Sequence, residues 1–248
     1  KVILQESVNL TANLNSTTGN GGDILILADG SINLEDSVSI LSEGDLGGNV
    51  TLGSGESIFA TSSDIQSRSL SNTLDISGGH INLMADDSII FDQGAKAVSV
   101  TFGTATAGNV TFRAGQRLSF DGTVENIAGD GGDLSVFSQE LILSSGSIIT
   151  TNTFGRGNSG DVNISASTIS VTGESAFDGD NSGIFSDSIR GANGNGGNIT
   201  VFTDQLQIRN GAEISTSSKG EGNSGNLTDI ANESIEISGG GEDNSTGL

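Results

Sequence analysis

Two aspartates stand side by side in the stretch MADDSII, at Asp86 and Asp87. Paired carboxyls are the usual apparatus of glycoside hydrolysis, which needs them about 5 to 10 Å apart across a cleft. Neighbours on a strand point to opposite sides, so this pair would need partners from other segments, with Glu56 and Asp121 as candidates. A second stretch, FDGDNSGIFSDSI, places Asp178, Asp180 and Ser182 ahead of Gly183 in the order of an EF-hand calcium loop. The twelfth position of such a loop should be glutamate and is Ile189, so these residues make at best a weak calcium site. His80 is the one histidine and there is no cysteine, which removes His-dependent triads and zinc centres from consideration. No catalytic residue is assigned, and no cofactor beyond weakly bound calcium. Thr-x-Thr pairs of the kind that order water in ice-binding solenoids occur at Thr104/Thr106 and Thr151/Thr153, without recurring at a fixed position.

The elements that must carry these residues follow from composition and repetition. The chain has 248 residues with 38 glycines and no proline, cysteine, tryptophan or tyrosine. With 31 acidic against 9 basic side chains, the formal net charge is −22. Nucleic acid, which needs a basic surface, is excluded as a partner, and anionic lipid is disfavoured for the same reason. No apolar run reaches the 18 or more residues of a membrane-spanning helix. The opening KVILQESVNL lacks an initiator methionine and a signal-peptide pattern, so a fragment of a longer protein is expected.

A small residue, then glycine, then a short polar residue recurs along the whole chain. The anchor glycines are Gly22, Gly48, Gly79, Gly108, Gly132, Gly160, Gly197 and Gly225, separated by 24 to 37 residues. Two residues after each comes an apolar-x-apolar pair, such as Ile24/Ile26 or Val110/Phe112. A second pair begins nine or ten residues after the glycine, as in Ile32/Leu34 and Leu206/Ile208. A weaker third pair follows at Val38/Ile40, Ser147/Ile149, Ser175/Phe177 and Ala212/Ile214.

Period-two pairs are strands with one buried face, and a repeat of this length that cannot bury its own face stacks on its neighbours. Three short strands per repeat, turned by Gly/Asn/Asp/Ser corners, describe one coil of a parallel β-helix. A single domain over residues 1–248 with about eight to nine coils is expected, roughly 40 Å long at about 4.8 Å per coil. The residue after each anchor is Asp23, Asn49, His80, Asn109, Asp133, Asp161, Asn198 or Asn226, a column of short polar side chains suited to capping a corner. Only Asp133 and Asp161 bring two carboxylates together in that column. On this reading His80 is a corner residue. The Asn-x-Ser/Thr triplets at Asn49, Asn163, Asn198 and Asn226 follow from the repeat, and are not assigned as glycosylation sites. Chain is inserted between the third pair and the next anchor, 8 residues after Ile40 but 14 after Ile65 and 20 after Phe177. All insertions are expected along one edge, the first place to look for binding.

The repeats GNSGDVNIS and GNGGNITVFTDQLQIRNGAEISTSSKGEGNSGNLT resemble those of filamentous haemagglutinin-like exoproteins, particularly large cyanobacterial ones. The resemblance implies a right-handed β-helical shaft, export by two-partner secretion, and a role in adhesion, aggregation or biofilm formation. The family's secretion domain carries Asn-Pro motifs, which a chain without proline lacks. The expected function is a shaft of a secreted or cell-surface adhesin, not an enzyme, that meets extracellular glycans or other cell-surface proteins and is able to associate end to end. The competing expectation is a carbohydrate-active β-helix enzyme, a polysaccharide lyase or hydrolase.

Overall fold

In the computed structural model the chain is an all-β parallel solenoid, with no helix among the described residues. The structure describes residues 1–13, 19–70, 78–101, 106–128, 130–154, 157–173, 181–189 and 192–239. A partial coil, β1 (Val2–Leu4) and β2 (Asn9–Asn13), opens the stack. Three coils follow with separate or partly fused strands: β3 (Ile24–Ala28), β4 (Ile32–Leu34) and β5 (Ser39–Gly44); β6 (Val50–Ser54), β7 (Ile58–Thr61) and β8 (Asp64–Ser69); β9 (Ile81–Ala85) and β10 (Ile89–Thr101). Next come β11 (Val110–Ala114) with β12 (Arg117–Ala128), β13 (Leu134–Ser144) with β14 (Ile148–Thr153), β15 (Val162–Thr172) with β16 (Gly183–Ser188), and β17 (Ile199–Arg209) with β18 (Glu213–Ser218). β19 (Leu227–Ser238) is the last strand among the described residues and runs over the first and second faces.

The longer strands run over two faces of the coil. Every strand pair is parallel, each strand bonded to its equivalents one coil away. The solenoid makes about seven turns, fewer than the eight to nine expected. The expected number included the coils at the two ends, in which the described residues form strands on only two faces.

Register turns the sequence pairs into inward columns. On the second face Ile32, Ile58, Ile89, Leu118, Leu141, Ile169 and Leu206 stack one above another and are almost inaccessible. At the middle of the stack Phe91, Phe112 and Phe120 meet with ring centroids 5.2 to 5.8 Å apart, two of the three contacts edge to face. The third-face column of the same coil is held by the small Ala97, between Ile65 and Val124.

On the third face the expected pairs Val38/Ile40, Ser147/Ile149 and Ala212/Ile214 are buried, and the strand runs on beyond them. Within the strand the first inward position is apolar, as in Ile40, Ile65, Ile149 and Ile214, and the next one, beyond the expected pairs, is polar in seven coils: Ser42, Ser67, Ser99, Asn126, Thr151, Ser186 and Thr216. The expected pair Ser175/Phe177 lies outside the described residues. The third strand of that coil is β16, where Ile184 stacks between Ile149 and Ile214. The extra chain of that coil therefore leaves between the second and third strands, and the insertions do not share one corner as expected.

Candidate functional site

The corner column is a continuous ladder of hydrogen bonds. Each member's side-chain acceptor receives the backbone N–H of the member one coil on. Asp23 Oδ1 accepts from Asn49 at 2.7 Å and Asn49 Oδ1 from His80 at 2.9 Å. His80 Nδ1 accepts from Asn109 at 2.9 Å, and Asn109 Oδ1 from Asp133 at 3.0 Å. Asp133 Oδ1 then accepts from Asp161 at 3.0 Å, Asp161 Oδ1 from Asn198 at 2.7 Å, and Asn198 Oδ1 from Asn226 at 3.0 Å. A short side chain with an acceptor two bonds from Cβ reaches the next coil, which explains Asn, Asp and the single His. His80 is used by this structural ladder.

A second ladder of the same kind stands two residues before the anchor. Asp130 accepts the N–H of Asn158 at 2.7 Å, Asn158 that of Asn195 at 2.9 Å, and Asn195 that of Asn223 at 2.8 Å. Between the two ladders run the anchor glycines. A Cβ on Gly79, Gly108, Gly160, Gly197 or Gly225 would lie 2.0 to 2.1 Å from the carbonyl oxygen of the anchor before it. None of the anchors has positive φ, so close approach of backbones is what demands glycine.

The polar third-face column serves the same corner from inside. Ser186 Oγ donates to Gly160 O at 2.8 Å and accepts from Gly197 N–H at 3.0 Å, so one hydroxyl ties two successive anchors. Thr216 repeats the arrangement with Gly197 O and Gly225 N–H, at 2.8 and 3.0 Å. Thr151 and Thr153 are fully buried and face inward. They form no outward water-ordering row, and Thr104 lies outside the described residues.

The carboxylates are dispersed. Asp86 and Asp87 occupy the corner between first and second faces. Asp87 donates its N–H to Glu56 O at 2.8 Å and accepts from Ser57 Oγ at 3.1 Å. Asp121 instead lies at the bend between second and third faces. Partial burial, followed by the neighbouring charge of Asp92, raises its pKa. Asp121 therefore does not join Asp86, Asp87 and Glu56. Burial also raises Glu125, against the opposing charge of Lys96, and raises Asp229. Asp178 and Asp180 lie outside the described residues. Ser182 is buried, accepting from Gly146 N–H at 3.0 Å and donating to Thr172 O at 2.9 Å. No group of three or more His, Cys, Asp or Glu side chains able to hold a metal occurs among the described residues.

What the outward side chains do form is a set of shallow, open grooves around the first corner. One of about 540 Å³ is lined by Leu27, Gly53, Met84, Asp29, Asp86 and Arg113. It shares Asp86 and Arg113 with a groove of about 480 Å³ that continues past Phe137, Gln139 and Ser165. The Arg113 guanidinium sits 4.6 Å from the Phe137 ring centroid, a cation–π contact. A third groove, about 590 Å³, runs along the second face past Ile90, Arg117, Glu140 and Thr168, where Arg117 and Glu140 pair at 2.6 Å. None of the carboxyls with raised pKa lines these grooves. No family model, curated protein or solved structure matches the chain.

Proposed function

We infer that the chain is a structural and adhesive shaft of a secreted or cell-surface protein, similar to the filamentous haemagglutinin-like exoproteins and extending a polar contact surface. The observation that supports this most is the division of labour between side chains. Inward and corner residues are consumed in holding coil to coil, while outward residues line open grooves, with no enclosed cleft holding three carboxyls among the described residues. Stiffness comes from the ladders, and solubility from a net charge of −22. Many weak contacts along a rod add through avidity.

The test is adhesion of beads coated with the chain to cells and to a glycan array, with and without millimolar calcium. Saturable binding without polymer cleavage is the expected result. Failure to bind any surface would make the chain a passive spacer. A second reading, a polysaccharide-active enzyme, draws support from the groove that joins Asp29, Asp86 and Arg113; glycan cleavage that is lost in Asp86→Asn would establish it.

A further inference from the structure

The outward row of the first face carries Phe137, Ser165 and Phe202 on three successive coils. Arg113, one coil before Phe137, covers one face of that ring. Ser165, one coil beyond Phe137 and lining the same groove, is small and exposed. Beyond it Phe202 is 50% exposed. Two coil steps, roughly 9.6 Å, thus separate two aromatic side chains above a serine floor. Carbon atoms in contact lie about 3.5 to 4 Å apart, so the gap accepts one saturated ring with an aromatic group on either side. Two residues earlier on the same strands stand Ser135, Asn163 and Thr200, a parallel row of hydroxyl and amide groups that both donate and accept.

Apolar walls beside a polar rail match a pyranose, whose ring faces present C–H groups and whose rim presents hydroxyls. Charge narrows the class further. A net charge of −22 repels uronates, sulfates and phosphates. We propose that the slot over Ser165 binds one sugar unit of a neutral polysaccharide; this rests on the adhesive reading and names its ligand class.

The experiment is native affinity electrophoresis of the whole chain through gels containing hydroxyethyl cellulose, galactomannan or alginate. Retardation by at least one neutral polymer and none by the acidic alginate is expected. Phe137→Ala and Phe202→Ala should each weaken binding about fivefold to tenfold, the worth of one ring contact. Ser165→Phe, which fills the slot from the floor, should abolish it. Phe154→Ala removes a phenylalanine that is 56% exposed and outside this row, and should change nothing. Retardation of all three slot variants equal to the wild type overturns the slot and leaves the shaft reading standing. No retardation in either neutral gel, or stronger retardation in alginate, overturns the ligand class. Coated beads that adhere to nothing refute the adhesive reading itself.

Discussion

Replacing His80 separates the role of the corner position from the chemistry of the residue that fills it. Its Nδ1 accepts the Asn109 N–H at 2.9 Å, and its own N–H reaches Asn49 Oδ1. His80→Ala deletes the first of these bonds and keeps the second. One such bond contributes about 0.5 to 1.5 kcal/mol, and loss of a side-chain acceptor at a helix cap has a similar effect, about 1 kcal/mol. The corner is solvent-exposed, so water takes over part of the bond and about 1 kcal/mol is the upper end. In a chain of this size that is a fall of roughly 2 to 4 °C in melting temperature. His80→Asn restores the acceptor used by its neighbours and should melt within about 0.5 kcal/mol of the wild type, the usual range for a neutral surface change. Coils contact only their neighbours, so the disturbance should stay local. Amide exchange of Asn109 should speed up about fivefold in His80→Ala, while amides near Gly197 keep their rates. Coincident melting of the Ala and Asn variants, or an unchanged Asn109 amide in the Ala variant, would refute the account of the ladder.

Three further outcomes are expected. Phe112→Ala, which opens the buried three-ring cluster, should lose about 3 to 5 kcal/mol in denaturant unfolding; a loss under 1 kcal/mol would contradict the packing described. Ser186→Ala leaves the buried Gly197 N–H without its acceptor and should destabilise by about 1 to 3 kcal/mol, whereas Ser186→Thr keeps the hydroxyl and should recover most of the loss. Asp229 stands where the inward column otherwise carries residues such as Val201. Burial raises its folded pKa, so the ionised form opposes folding at neutral pH and the penalty is relieved as pH falls through that pKa. Asp229→Val should therefore stabilise by about 1 kcal/mol at neutral pH, a half-exposed share of a valine's burial. That gain should shrink toward the acidic carboxylate range; a gain that grows on acidification would reverse the sign argued here.

The first and second faces were legible because their inward columns are apolar in nearly every coil, so period two shows in the bare sequence. The corner residues were legible because a fixed offset from a glycine survives variation in coil length. The third face was obscured by its own chemistry. With Ser42, Ser67, Ser99, Asn126, Thr151, Ser186 and Thr216 facing inward, a buried strand looks like a loop to any hydrophobicity criterion. In the coil of β15 and β16 the extra chain then displaced the strand beyond the expected offset. The ladder of Asp130, Asn158, Asn195 and Asn223 did leave a trace, as the recurring Asp or Asn two places ahead of the anchor, but such residues are equally expected in any turn. The row of Phe137, Ser165 and Phe202 left none. Outward positions are free to differ from coil to coil, and only the strand register brings them together.

The hydrogen bonds between coils lie along the long axis of the rod, and this decides how a tethered shaft answers a pull. Each coil adds roughly 4.8 Å to the folded length. The 28 residues from one anchor to the next at Gly132 and Gly160 span up to about 95 Å once drawn out. Tension on a terminus peels one coil at a time, because each coil is held only by its neighbours. If the chain serves as the adhesive shaft proposed above, a surface bond under drag would be spared by the loss of the outermost coil, which lengthens the tether nearly twentyfold per unit released. Coils left behind keep their ladders and their grooves, so a stretched shaft would still present the contact surface it had at rest.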